Sequence, residues 1–474
     1  MQLLDLPFIT APLPGIGGRL KVRPELFKVT ELMNSRSDAV KEVTQSNGKH
    51  AFITLRREGY TTPEIQSALA EAFGLKPEEV GYAGLKDKHA ICTQTFSLPR
   101  DRIQPVELRK PEGIYGIERV LRQDCRWQVV DDPPPAWHQS KLRKGELRGN
   151  AFEIVVSDLD VPPADALERA HAIAARLRHT GWANFFGPQR FGKAGPARAL
   201  QRGTDLLKGR GADGAWRKRR AHAAWLDTLL LNGMQSALFN EYLTERIGRG
   251  LFDTVLLGDL VSQPHSAAKP RMVRLKPAAD TSCDGAADSN GDAPSLSTMT
   301  RDEKLDALPE EENSMLAEFT LSHTGPLFGG GMPKPSGRPA SLEAEVWERH
   351  ITDVTLGQLK QTSLYGGRRV CRLPLPPDFL VEEAPGRGLR FCFSLPRGAY
   401  ATSLLREFMK SDDAEALGEG GEDAHEGSTV LHDEGRSAGS AGPSQDDKSE
   451  GDPGAAGDLN PAKAMRTEMD ARVA

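Results

Sequence analysis

Two stretches of this chain are unable to build a packed core, and they decide what the rest must be. Residues 278–316 carry 10 Asp/Glu against 2 Lys/Arg, and residues 411–474 carry 16 against 5. Both are rich in Gly, Ala, Ser and Asp, and neither repeats apolar residues at a helical or strand interval. Such segments bury too little apolar surface to offset the entropy of ordering, so both are expected to be disordered. The whole chain of 474 residues has a net charge of −5, so the 371 residues outside these stretches carry +14. That length suits two domains of roughly 100–200 residues each. A positive excess of this size fits a polyanionic partner, although it also serves solubility alone.

Several function classes are excluded early. No run approaches the roughly 18 consecutive apolar residues of a membrane span. The first residues, MQLLDLPFITAPLPG, carry Asp5 and no basic leader, which makes a poor signal peptide. Five cysteines without a CxxC pair argue against a disulfide framework and a structural zinc site. A soluble, cytoplasmic protein is expected. Gly435–Gly439 (GRSAG) matches GxSxG but lies in the acidic tail, where no strand–turn–helix elbow is expected. Gly329–Gly331 lacks the spacing and the Lys-Ser/Thr of a phosphate loop, and no HExxH occurs. Neither a nucleotide cofactor nor a metal is expected.

Along the chain, Leu20–Glu31 (LKVRPELFKVTE) reads as a strand broken at Pro24, and Ala51–Arg57 as a second strand. Thr61 and Glu64 have capping-box spacing, Pro63 suits the first turn, and Ile65, Ala68, Leu69, Ala72 and Phe73 recur at helical intervals up to Gly74. Ile91–Leu98 alternates like a strand, which makes Gly81–His89 a glycine-containing connection at its entrance. Phe152, Ile154 and Val156 mark another strand. Helical patterns follow at Ala164–Thr180, Trp216–Leu231 and Met234–Ile247, then a strand at Leu389–Leu395 and a short helix at Thr402–Met409. Mixed order without strict βαβ alternation predicts an α+β fold.

Three stretches carry chemistry. In GYAGLKDKH, Asp87 stands between Lys86 and Lys88, cations that favour its ionised form and attract a phosphodiester. A solvated charged turn fits the same residues. In NFFGPQRFG, three Phe flank Arg190; the rings suit base stacking or, more simply, packing at a domain junction. The run WRKRR includes Lys218, Arg219 and Arg220, a candidate phosphate contact or a solvated helix face.

The segment GYAGLKDKHAICTQTFSLP resembles the signature of the TruD family of tRNA pseudouridine synthases, and ANFFGPQRFG resembles that family's second signature. The likeness continues through LKVRPELFKVTE, LRKGELRGNAF, QSALFNEYLTER, HTGPLFGGGMP and LPRGAYATSLLRE, from about residue 15 to 410 in the family's order. It leaves out the acidic insertion and tail. The resemblance implies a cofactor-free enzyme that isomerises uridine 13 of tRNA to pseudouridine. Asp87 then matches the catalytic aspartate and Lys21 a basic residue beside it. Phe27, Asn150 and Tyr400 match substrate-contacting positions, and Phe152 an active-site aromatic. Where the family commonly has Phe, this chain has Tyr400, whose hydroxyl needs a partner or water.

The architecture expected from the resemblance is a pseudouridine-synthase-like catalytic domain with a mixed sheet, built from residues 1–180 and 357–410. An inserted α+β domain at 181–356 interrupts it, and an acidic tail at 411–474 follows. Lys86, Lys88, Arg190 and Lys218–Arg220 are the candidate phosphate contacts, tRNA is the expected partner, and a monomer is expected. A non-catalytic RNA-binding protein using the same basic cleft is the alternative. Asp87, Lys21 and Asn150 together speak against it. A nucleoside glycosidase would need a site for an activated water, which the sequence does not identify.

Overall fold

The alternation at NAFEIVV lies inside a 13-residue strand at the centre of the larger sheet. The computed structural model describes residues 5–33, 48–110, 112–191, 195–211, 221–264, 270–273, 310–356, 359, 364–411, 413 and 416–418. All of these fall in the unit Met1–Leu431. In chain order the larger sheet contains β1 (Gly17–Arg19), β2 (Phe27–Met33), β3 (His50–Arg57), β4 (Gly81–Tyr82), β5 (Ile91–Pro99), β6 (Gln128–Val129), β7 (Ala136–His138) and β8 (Leu147–Leu159). Two strands from the far end of the chain, β15 (Leu380–Ala384) and β16 (Gly388–Pro396), complete its ten. The order along the sheet is β15-β16-β8-β2-β5-β3-β6. Pairing is antiparallel except between β2 and β5, so the sheet is mixed. The fold is α+β.

Helix α1 (Thr62–Phe73) forms as its sequence dictates. Thr61 and Glu64 make the reciprocal capping box, and Gly74 ends the helix at a φ of 64°. Its apolar face packs with β3 and β5 and with α2 (Gly113–Leu121) in one core. A second core lies under α3 (Pro163–Thr180), where Ala170, Ile173 and Leu177 meet Phe379, Phe391 and Phe393.

After α3 the chain enters β9 (Trp182–Ala183), which pairs with β14 (Arg372–Leu373), so the outgoing and returning chains run side by side. Between them lie α4 (Gly195–Gly211), α5 (Ala221–Gly248), α6 (Glu310–Ala317) and α7 (Gly337–His350). A four-stranded sheet of β10 (Leu260–Ser262), β11 (Arg271–Met272), β12 (Ser322–Leu327) and β13 (Gly367–Val370) joins them. The two helical patterns at Trp216–Leu231 and Met234–Ile247 are one 28-residue helix, α5, in their described part. Gly233 sits inside it where a Cβ would meet Ala199 Cβ at 3.2 Å, so the missing side chain allows α4 and α5 to approach. Among the described residues no helix is long and apolar enough to cross a membrane.

The acidic stretches are packed at their edges, contrary to the expectation of disorder throughout. Residues 310–316 belong to α6, and Leu316 is 1% exposed in a small core with Val255, Val261 and Leu321. Near the start of the tail, Leu417 is 1% exposed in the α3 core. Averaging charge over each stretch hid these single apolar anchors. The rest of both acidic stretches, 278–309 and most of 411–474, lies outside the described residues.

Candidate active site

Parallel pairing sets the geometry. Because β2 and β5 run the same way, with Lys28 opposite Ile91, the entrances of both strands lie at one edge of the sheet. Phe27 opens β2, and the Gly84–Ala90 loop opens β5. β8 adds Asn150 opposite Glu31 and Phe152 opposite Val29, and β16 places Phe393 opposite Phe152.

The loop bearing Asp87 is held from below by buried polar groups. Thr62 Oγ1, on the first turn of α1, accepts from Lys86 N–H at 3.0 Å and donates to Gln94 Oε1 at 3.1 Å. Gln94 Nε2 donates to the Gly84 carbonyl at 2.5 Å. Arg57, buried at the end of β3, donates to Thr62 Oγ1 at 3.1 Å and to the Lys86 and Asp87 carbonyls at 3.2 and 3.4 Å. A further bond runs to the Tyr60 carbonyl. No carboxylate lies within ion-pair distance of Arg57 among the described residues; burial lowers its pKa, and Asp87, Glu64 and Glu31 act on its charge only from further off.

Above this floor, Lys21 Nζ lies 2.7 Å from Asp87 Oδ2. The lysine side chain is 8% exposed and the aspartate 40%, so the carboxylate remains open to an incoming group. The Lys21 ammonium holds the Asp87 carboxyl below its ordinary range against the opposing effect of burial, with Arg57 and Lys86 adding to it. The same ammonium stands 4.8 Å from the Phe27 ring centroid, and Phe27 meets Phe152 edge-on at 6.4 Å. Cys92, beside the loop, is pushed up to about 11 by burial and is no thiolate at neutral pH.

The structure therefore brings together Asp87, Lys21, Phe27, Asn150 and Phe152. Lys86, expected at a phosphate, is enclosed: its ammonium lies 2.9 Å from Glu31 Oε2 and donates to Asn150 Oδ1 at 2.8 Å. Arg190 is likewise committed inward, with Nε on Ser236 Oγ at 2.9 Å. Lys88 is part-exposed, 3.7 Å from Glu64. Lys218, Arg219 and Arg220 lie outside the described residues. Phe185, Phe186 and Phe191 of the second signature are buried, as the packing alternative expects. Tyr400 caps the start of α8 (Ala401–Met409), 6.0 Å from Phe186, with the Arg369 guanidinium 5.7 Å from its ring. Arg57, Glu31 and Arg369 escaped the sequence reading, because nothing local distinguishes them from ordinary strand charges.

The family description "tRNA pseudouridine synthase D (TruD)" matches residues 4–219 and 219–408. A tRNA pseudouridine synthase D of Thermus thermophilus is 34% identical over 414 residues, covering 87% of this chain and 94% of its own length. One from Anaeromyxobacter dehalogenans is 33% identical over 86% of this chain and 98% of its own. A crystal structure of a putative tRNA pseudouridine synthase D from Methanosarcina mazei superimposes with a TM-score of 0.57 at 20% identity, covering 84% of this chain and 95% of that one. With this agreement running through both halves of the chain, it belongs to the tRNA pseudouridine synthase D family.

Proposed function

We propose that this tRNA pseudouridine synthase isomerises uridine 13 of tRNA, with Asp87 as the catalytic carboxylate. The observation that carries this reading is the Asp87–Lys21 pair: a half-open carboxylate held ionised beside an aromatic wall. The reaction breaks the C1′–N1 bond, joins C1′ to C5 of the same base, and moves a proton from C5 to N1. Whether the carboxylate adds to C1′ or removes a sugar proton, it must be ionised at the start, which Lys21 and Arg57 favour. No electrons are gained or lost, so the chemistry calls for no redox cofactor.

The remaining residues take supporting roles. Phe27 and Phe152 form a wall for the detached uracil, which must turn without escaping. Lys86 holds Asn150 by its Oδ1, which leaves the amide N–H groups to face a base carbonyl. Tyr400, which packs by Phe186 and Arg369, keeps the substrate-contacting role that the family likeness gives it. Lys88 and the Lys218–Arg220 run serve as phosphate contacts for a target uridine drawn out of its stack. The inserted domain spans about residues 181–356, a reading supported by the pairing of β9 with β14, which sets the outgoing and returning chains side by side. The enzyme acts as a monomer in the cytoplasm.

Incubation with unmodified tRNA transcripts carrying U13 or C13 tests this reading. Pseudouridine at position 13 of the first, with no free uracil and none in the second, is the expected result. Pseudouridine formed equally well by Asp87→Asn overturns it.

A further inference from the structure

Lys21 stands in a conformation that a lysine rarely adopts unaided. Its φ is +54°, in the left-handed region where a Cβ crowds the neighbouring carbonyl. Such a residue persists where its surroundings hold it. Part of that hold comes from almost 400 residues further along the chain. Leu20 N–H donates to the Ala416 carbonyl at 2.7 Å. Leu417 is buried in the cluster that also contains Leu20 and Phe27. Gly418, at a φ of +70°, lies so close that a Cβ built there would meet Lys21 Cβ at 2.7 Å and Lys21 Cδ at 3.0 Å. The turn therefore lies flush along the aliphatic stem of Lys21, at whose far end the ammonium reaches Asp87.

We propose that the Ala416–Gly418 turn is a positioning element of the active site, fixing the stem of Lys21 so that its ammonium stays on Asp87. This rests on the roles given above to Asp87 and Lys21. Leu417 is the anchor and Gly418 the contact. When the turn loosens, Lys21 relaxes toward ordinary backbone angles and its cation withdraws. Arg57 and Lys86 then remain as cationic neighbours of Asp87 among the described residues, with the neutral Cys92 thiol beside it, and the Asp87 carboxyl moves up toward its ordinary range.

The test uses the full chain and a double-mutant cycle. Leu417→Ala, Gly418→Ala and Gly418→Val are each made alone and with Lys21→Met. Single-turnover pseudouridine formation is followed between about pH 4 and 8, with thermal midpoint and tRNA binding as checks of folding. Displacing a positioned group by about 1 Å can cost roughly 100-fold. A 10- to 100-fold loss is accordingly expected for Leu417→Ala and Gly418→Val, with the acid limb of the rate moved upward. Gly418→Ala, which adds one methyl at a part-exposed turn, should show a smaller loss of the same kind and keep its fold. None should slow the enzyme further once Lys21 is Met. Turn variants with wild-type rate and acid limb overturn the proposal. So does an equal loss with and without Lys21, which marks the turn as structural support only. A wild-type rate in Lys21→Met overturns this proposal together with the role given to Lys21. A slow Lys21→Met beside unaffected turn variants overturns the turn alone.

Discussion

Two buried guanidinium groups in this protein are treated in opposite ways. Arg246, near the end of α5, meets Asp259 through two bonds of 2.9 and 2.6 Å, with the pair 0% and 1% exposed. Asp259 Oδ2 also accepts from Leu256 N–H. Burial disfavours both charges, yet each overrides it for the other: the arginine is held above its ordinary range and the aspartate below its own. Arg57, under the Asp87 loop, has three carbonyls and a threonine hydroxyl but no carboxylate. Its charge is left to act on the half-open Asp87, of which only Oδ2 is engaged by a described residue. A fully saturated pair can only support the fold. A pair with a spare oxygen and a surplus of positive charge behind it can do chemistry.

The contrast is broken most directly at its two acids. Asp87→Asn should lower pseudouridine formation by at least about 10³-fold while thermal midpoint and tRNA binding stay near wild type. Asp259→Asn should do the reverse, costing about 3–5 kcal/mol in denaturant unfolding because Arg246 is left charged and unpaired. Its rate per folded molecule should be unchanged. If Asp259→Asn lost rate without losing stability, the division between the two regions would be wrong.

Smaller effects sharpen it. Lys21→Met should cost roughly 10- to 100-fold in rate and raise the acid limb of the pH profile, since the largest influence holding Asp87 low is gone. Arg57→Met should cost about tenfold, with the same upward drift of the acid limb, by freeing the Lys86 and Asp87 carbonyls. The smallest effect concerns stability. Because the folded pKa of Asp87 is depressed, its contribution is present above the ordinary carboxylate value of about 4 and is lost as pH falls through the folded value. With the side chain 40% exposed, that contribution is at most about 1 kcal/mol. Urea unfolding of wild type and Asp87→Asn should converge as pH drops below about 4.

The legible part of the molecule was the part carried by local pattern. Thr61, Glu64 and Gly74 announce α1 because a cap is made by neighbours in sequence. Asp87 and its two lysines stand in one contiguous motif, and the family likeness adds Lys21, Asn150 and Phe152. Arg57 was not legible: it ends a strand like any solvent-facing charge, and its partners Lys86 and Asp87 lie about thirty residues on. Lys86 was read as a candidate phosphate contact because nothing in sequence tells that Glu31 and Asn150 converge on it from β2 and β8. Leu417 was lost inside a segment judged by net charge. Each failure is a long-range contact that a window of neighbours does not contain.

The pairing of β8 with β16 also sets the order in which the molecule can come into being. Asn150 and its cross-strand partner Leu395 are separated by 245 residues. At about 5–20 residues per second of synthesis, β8 emerges from the ribosome some 12–50 s before the strand that covers its free side. During that time the nascent chain presents the eight-residue edge 149–156 of β8 that β16 later covers, with unpaired N–H and C=O groups, the kind of surface to which another chain can add a strand. The inserted region between β9 and β14 is made within this interval and has its own cores to collapse into. The enzyme thus closes its sheet last, and the Ala416–Gly418 turn can settle on Lys21 only once that closure is done.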